Sequence, residues 1–367
     1  MAASQTTVAA VPAAGKAPSR RLPEYDLVRV VAMVFVVAVH SLMVVDTSVR
    51  AGVITEVAGQ SLFFTANALF FLLSGRFNLR DVPEGKLGDF YLKKFRGVIL
   101  PALVIFFVRA LYDLRSDPVS LRHVVGYFVR GSLGQYSGIE YWFIFSLAKL
   151  LLAAPFLAPA FAHLSPKRAK AFLGIGLAWF AVLFVCNNTG VDFSWDFLFS
   201  GFVFPFCLGP SIEELFSGKR ARKVLAVVAP LSWIATTYLV LQGWRTGAFD
   251  NSPLYMLLSF GIYIGLLSLG RLLAARGSLD GRLGSVISFV ARHSFTVYLV
   301  HLMVLMPIAH RIPGGCGMVS LAFYPLVIVL VVLLSLGVAV VLDTVLVKPC
   351  QALLDRIVSR FRARGDA

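Results

Sequence analysis

Charge is what this chain has least of. Only 14% of its 367 residues are Asp, Glu, Lys or Arg, against about a quarter in ordinary soluble domains, and that shortage excludes a fully solvated globular surface. Acidic residues are the scarcer kind, 19 against 34 basic ones. Cysteine is limited to Cys186, Cys207, Cys316 and Cys350, far apart and without a CxxC pair, so spacing supports neither a zinc site nor thiol redox chemistry, and no metal is expected. The first 22 residues, "MAASQTTVAAVPAAGKAPSRRL", lack the apolar stretch of a cleavable leader. They read as a disordered cytoplasmic tail.

Apolar sequence fills the rest. Hydrophobic residues make up 58% of the chain and the mean hydropathy is +0.80. Runs of about 20 residues, long enough to span a bilayer, recur with only short polar joints, which leaves no room for a separate soluble domain. The pattern predicts an all-α polytopic membrane protein of about ten transmembrane helices, with one domain over 23–347 and a basic tail at 348–367. Spans fall near 27–45, 59–79, 96–113, 140–161, 170–187, 196–216, 222–242, 253–272, 285–307 and 319–347. The basic joints, among them "HLSPKRAK", "SGKRARK" and the tail "RIVSRFRARGDA", all fall on one side if the N-terminus is cytoplasmic. The positive-inside rule therefore puts both termini in the cytoplasm of a multi-pass protein of the inner or plasma membrane. That rule also accounts for the formal charge of +15 with the lipid bilayer as partner. No nucleic acid is needed.

The first span, "RVVAMVFVVAVH", starts with Arg29 and ends with His40. Eleven positions are close to three helical turns, so both side chains share one face with Met33 and Val36, about 16 Å apart along the axis. Arg29 then lies near the inner boundary and His40 in the outer half. Titratable groups at membrane depth usually face a bundle interior or wet cavity and mark function. The plain alternative is an interfacial Arg29 paired with Asp26 and a His40 that only bridges helices. Spacing leaves both open. The second span ends "ALFFLLSGRFNLR" and the third begins "YLKKFRGVILP", with a helix break expected at Ser74 and Gly75. Arg76, Arg80, Lys93, Lys94 and Arg96 thus border one short inner loop, as topology signals or as an anion site suited to phosphate.

Other features are less specific. Trp142 and Tyr141 read as interfacial belt residues or a sugar platform, Glu140 falls outside the lipid, and His301 lies in the outer half of its span. His40 and Asp46 are six apart, which misses the HxxxxD spacing and sets them on largely opposite helix faces. Gly174 and Gly176 read as close-packing positions.

"YDLVRVVAMVFVVAVH", "ALFFLLSGRF", "KKFRGVILP", "YWFIFSLAKLLLAAP" and "HSFTVYLVHLMV" together resemble the acyltransferase 3 family, membrane-bound O-acyltransferases of bacterial surface glycans. The likeness runs in order over residues 22–347. It implies that Arg29 and His40 form the family's Arg–His signature, with His40 central to transfer. It implies cytoplasmic acyl-CoA, acetyl-CoA by default and succinyl as an alternative, as co-substrate, bound near Arg76 and Arg80. The acceptor it implies is a hydroxyl of a surface glycan or lipid-linked sugar. No fused SGNH domain is expected. "SGR" replaces the family's usual "SGF", and Trp142 is flanked by Glu140 and Lys149 rather than by downstream acidic residues. On this reading CoA phosphates sit against Arg76, Arg80, Lys93, Lys94 and Arg96, and the thioester reaches His40, which acts as general base or acyl carrier. Asn67, Ser74 and Tyr298 are candidates for oxyanion assistance, and Glu140, Trp142 and His301 for acceptor binding. The rival readings are a secondary transporter and an inactive glycan-binding membrane protein.

Overall fold

A computed structural model of the chain describes residues 22–115, 120–132, 141–191 and 198–365. Every regular element among them is helical. Residues 1–21 of the expected tail and Glu140 lie outside the described residues.

α1 (Pro23–Ser41) opens with a proline in its first turn and with Glu24 and Asp26 beside it, where a missing N–H is harmless and negative charge suits the helix dipole. α2 (Arg50–Phe63) and α3 (Thr65–Asn78) make one passage interrupted at Phe64. The break therefore falls ten residues earlier than Ser74. α3 runs on through Ser74 and Gly75, because Gly75 serves close packing: a Cβ there would collide with the Phe206 carbonyl. α4 (Leu87–Lys94), a π turn over Phe95–Ile99 and α5 (Leu100–Asp113) return across, and the shorter α6 (Leu121–Ser132) precedes α7 (Trp142–Phe161) and α8 (Pro166–Thr189).

The stretch expected as a helix over 196–216 is not one. Its described part folds as two short helices, α9 (Val203–Leu208) and α10 (Ile212–Leu215), because Pro205, Gly209 and Pro210 interrupt the pattern. It still joins the two ends of the bundle. Asn188 at the end of α8 bonds the 245–250 loop, whereas Glu213 in α10 meets Tyr25 at the start of α1. Irregular backbone survives at membrane depth only where protein buries it. Phe204, Phe206, Cys207, Leu208 and Ile212 are all fully buried.

α11 (Lys219–Leu241), α12 (Pro253–Ala275), α13 (Arg282–Ala309) and α14 (Val319–Leu342) complete the bundle, and a second π turn over Asp343–Val347 leads into α15 (Lys348–Gly365). Among the described residues nine stretches are long and apolar enough to span a membrane. α1 is the central helix, packed against α13, α12, α3 and α14. The basic joints gather at one end, tied by His163 to Asp81 at 2.8 Å, Arg96 to Asp355 at 2.9 Å and Arg362 to Asp89. This is the basic end of the bundle, and the opposite one is the far end.

Candidate active site

α1 delivers both residues of the sequence signature. Arg29 lies one and a half turns from its start at the basic end, and His40 in its last turn at the far end. His40 borders a cavity of about 230 Å³ whose other walls include Asn67, Phe63, Trp142, Phe249 and Tyr298. Among the described residues its ring makes no hydrogen bond, which leaves it available to a ligand. Its neighbour is His301, whose ring centroid lies 5.1 Å away. His301 Nδ1 is 2.6 Å from the Tyr298 carbonyl oxygen. A carbonyl only accepts, so this contact assigns the hydrogen to Nδ1 and makes Nε2 a lone-pair acceptor. Among the described residues that Nε2 is buried without a partner.

The structure therefore brings His40, Trp142, His301, Asn67 and Tyr298 together. Trp142 turns inward, its ring 4.7 Å from Phe202, so it walls the cavity and is not confined to a belt role. Ser74 does not join this group; its backbone carbonyl and its hydroxyl both accept from Asn78 at the other end of α3.

At the basic end Arg29 is paired with Asp26 at 2.7 Å, and its guanidinium lies over the Phe77 ring at 5.2 Å. The Asp26 pairing of the plain reading is thus present, together with the shared α1 face. Arg76 donates to Glu213 at 3.2 Å. The same carboxylate accepts from the Tyr25 hydroxyl at 2.6 Å and from Arg271. Burial alone would push the Glu213 carboxyl up, but Tyr25, Arg271 and Arg76 outweigh it and hold the group below the ordinary glutamate range. Sequence reasoning missed this hub. Its only trace was an acidic pair in "SIEELF".

The five cations expected at one phosphate site are divided. Lys94 bonds Asn78, and Arg96 is held by Asp355 of α15, with Gln351 donating to its carbonyl at 3.0 Å. Arg80 and Lys93 are exposed and form no ion pair among the described residues. A second polar cluster also escaped the sequence. Asp343, at the first π-turn residue after α14, accepts from Thr296 at 2.6 Å and lies 2.5 Å from His293 Nδ1, beside a cavity of about 490 Å³ that Arg292 and Lys348 also line. The stretch "HSFTVYLVH" shows His293 and Thr296, but their partner Asp343 follows the next helix. Among the described residues no group of His, Cys, Asp and Glu could hold a metal ion.

Neither the curated proteins nor the solved structures compared with this chain yield a match. A family model described as an acyltransferase domain, that of the acyltransferase 3 family, matches residues 22–343. That range takes in the Arg29–His40 helix, the cavity above it and the Glu213 hub. The chain belongs to the acyltransferase 3 family of membrane acyltransferases.

Proposed function

We propose that this membrane acyltransferase moves an acyl group, acetyl by default, from acyl-CoA at the basic end to a hydroxyl of a glycan or lipid-linked sugar at the far end. The observation that carries the reading is the His40 ring, unpaired among the described residues and lining a cavity on the helix that bears Arg29 about 16 Å below. That length suits an extended pantetheine arm running beside α1, with the nucleotide held by Arg76, Arg80 and Lys93 at the basic end.

In the transfer, a neutral His40 ring nitrogen takes the proton of the acceptor hydroxyl as its oxygen attacks the thioester carbonyl. The carbon–sulfur bond breaks and the proton passes to the departing CoA sulfur. Asn67 and Tyr298 stand on the same cavity wall and supply donors for the oxyanion. In the acyl-carrier route His40 nitrogen attacks the thioester carbon, the carbon–sulfur bond breaks and CoA leaves as the thiol with the ring's proton; the acceptor oxygen then displaces the imidazole, which keeps the acceptor's proton. A secondary transporter draws some support from the broken α9–α10 passage, yet that passage is packed solid with buried Phe204, Phe206 and Leu208.

Acetyl-CoA, or another acyl-CoA, should raise the melting temperature of the detergent-purified protein, and charge removal at Arg76 or Arg80 should shrink that shift. Failure of every acyl-CoA to stabilise the protein would sink the enzyme reading. Acyl-CoA binding without turnover would favour the inactive glycan-binding alternative.

A further inference from the structure

The His40 cavity is too small to be the whole acceptor site. Its volume of about 230 Å³ falls below the roughly 300–1,000 Å³ of ordinary small-molecule sites. A second cavity of about 510 Å³ adjoins it and shares Phe249 as a wall. Trp142 and Phe202, tilted against each other with ring centroids 4.7 Å apart, stand between the two.

The larger cavity is polar in a specific way. Its walls carry Ser146, Lys149, Ser200 and Asn251, with Phe202 and Phe249 as aromatic surfaces. Trp142, Ser146 and Lys149 are spaced i, i+4 and i+7 on α7, so one helix face lines both cavities in sequence. Lys149 starts about 10 Å along the axis from Trp142. Side chains lean toward a helix N-terminus, which for α7 is the far end, so the Lys149 stem leans toward Ser146, which lines the same cavity.

Among the described residues Lys149 has no carboxylate partner. The acidic residue of the neighbouring 245–251 loop, Asp250, is already held by Arg245 at 3.2 Å and by the Gly247 amide at 3.0 Å. Its side chain is exposed in the mouth of this cavity, and an ammonium midway along a membrane span normally finds a counter-charge. The loop wall is also fitted closely. Asn251 adopts a left-handed φ of 52°, which Asn tolerates better than most residues. Its side-chain oxygen packs 2.6 Å from where a Cβ on residue 201 would lie, so Gly201 leaves that space.

We infer that this second cavity binds an anionic group of the acceptor, a carboxylate or phosphate oxygen set on Lys149 with Ser146, Ser200 and Asn251 around it, while the acceptor's hydroxyl reaches His40. The inference rests on the acceptor role given to the His40 cavity. The acceptor is then a charged glycan or a sugar on a phosphate carrier, and a neutral glycan binds less well. Phe202 and Phe249 offer flat surfaces to the apolar faces of sugar rings.

The test is thermal shift of the full-length protein in detergent with three probes: a uronic-acid disaccharide, its neutral counterpart, and a polyprenyl phosphate. Wild type should be stabilised at least threefold more by one anionic probe than by the neutral disaccharide. Which anion wins identifies a charged sugar or a carrier phosphate. Lys149→Met should abolish that preference and Lys149→Arg should keep it, while the acetyl-CoA shift stays unchanged in both. Equal shifts from anionic and neutral probes in wild type, or an anion preference that survives Lys149→Met, would overturn the inference. Loss of the acetyl-CoA response alone, with the anion preference intact, would count against the acyltransfer reading and leave the anion site standing.

Discussion

At the scale of single residues, the arrangement separates chemistry from architecture. His40 borders a cavity and among the described residues makes no hydrogen bond, so His40→Ala should lower transfer by about 100-fold or more. Membrane insertion and the acyl-CoA thermal shift should persist, because the ring supports no hydrogen bond among the described residues. Glu213 is the opposite case. Its carboxylate joins α1, α3 and α12 through Tyr25, Arg76 and Arg271, and Glu213→Gln should cost about 1–2 kcal/mol in detergent. That is the lower part of the range for charged hydrogen bonds, because both guanidinium side chains are more than 40% exposed. The pH sign follows from its depressed carboxyl. The stabilisation is complete above the unfolded glutamate pKa of about 4.3 and is lost as pH falls through the lower folded value. A melting-temperature series against pH should show a loss on the acid side in wild type that Glu213→Gln does not share. His40 and Arg29 were legible in sequence because both lie on one regular helix, where spacing fixes face and distance. Glu213 and Asp343 were not, since their partners come from helices tens to hundreds of residues away.

At the scale of elements, the broken α9–α10 passage carries the clearest structural consequence. Gly75 and Gly209 let it pack against α3. A Cβ on Gly75 would strike the Phe206 carbonyl, and one on Gly209 would strike Leu72 and Arg76 backbone. Gly75→Val should therefore destabilise the protein by about 3 kcal/mol, the upper end for overpacking, since backbone cannot yield as a side chain does. Gly174→Ala is the control. A Cβ there meets nothing within 4 Å, so melting should be unchanged or slightly raised. Sequence reading grouped Gly174 with Gly176 as packing positions, and only Gly176 is one, pressed against the Phe204 ring. The helix expected over 196–216 failed for a related reason. Its apolar content is high enough to span, but Pro205, Gly209 and Pro210 deny it a continuous hydrogen-bond ladder. Those residues were visible, whereas the burial that makes the irregular backbone tolerable was not.

For the whole molecule, the basic joints collect at one end and the His40 cavity opens nearer the other, so donor and acceptor are expected on opposite sides of the bilayer. Cysteines introduced at Gly218 and Gly314 into a cysteine-free background test the sidedness. An impermeant maleimide added to intact cells should label Gly314→Cys and spare Gly218→Cys, and the reverse pattern would invert the topology. The fold class was readable because long apolar runs leave few alternatives, and the sidedness was expected from charge alone. The division of the five cations was not readable, because Asp355, Glu213 and Asn78 reach three of them only in the folded bundle. The most direct test of the central claim is mass analysis of surface glycans from cells that carry wild type, His40→Ala or no gene. The account predicts an acyl mass increment with wild type that is missing from the other two, while His40→Ala accumulates in the membrane at the wild-type level. An increment that persists in the His40→Ala cells would contradict it.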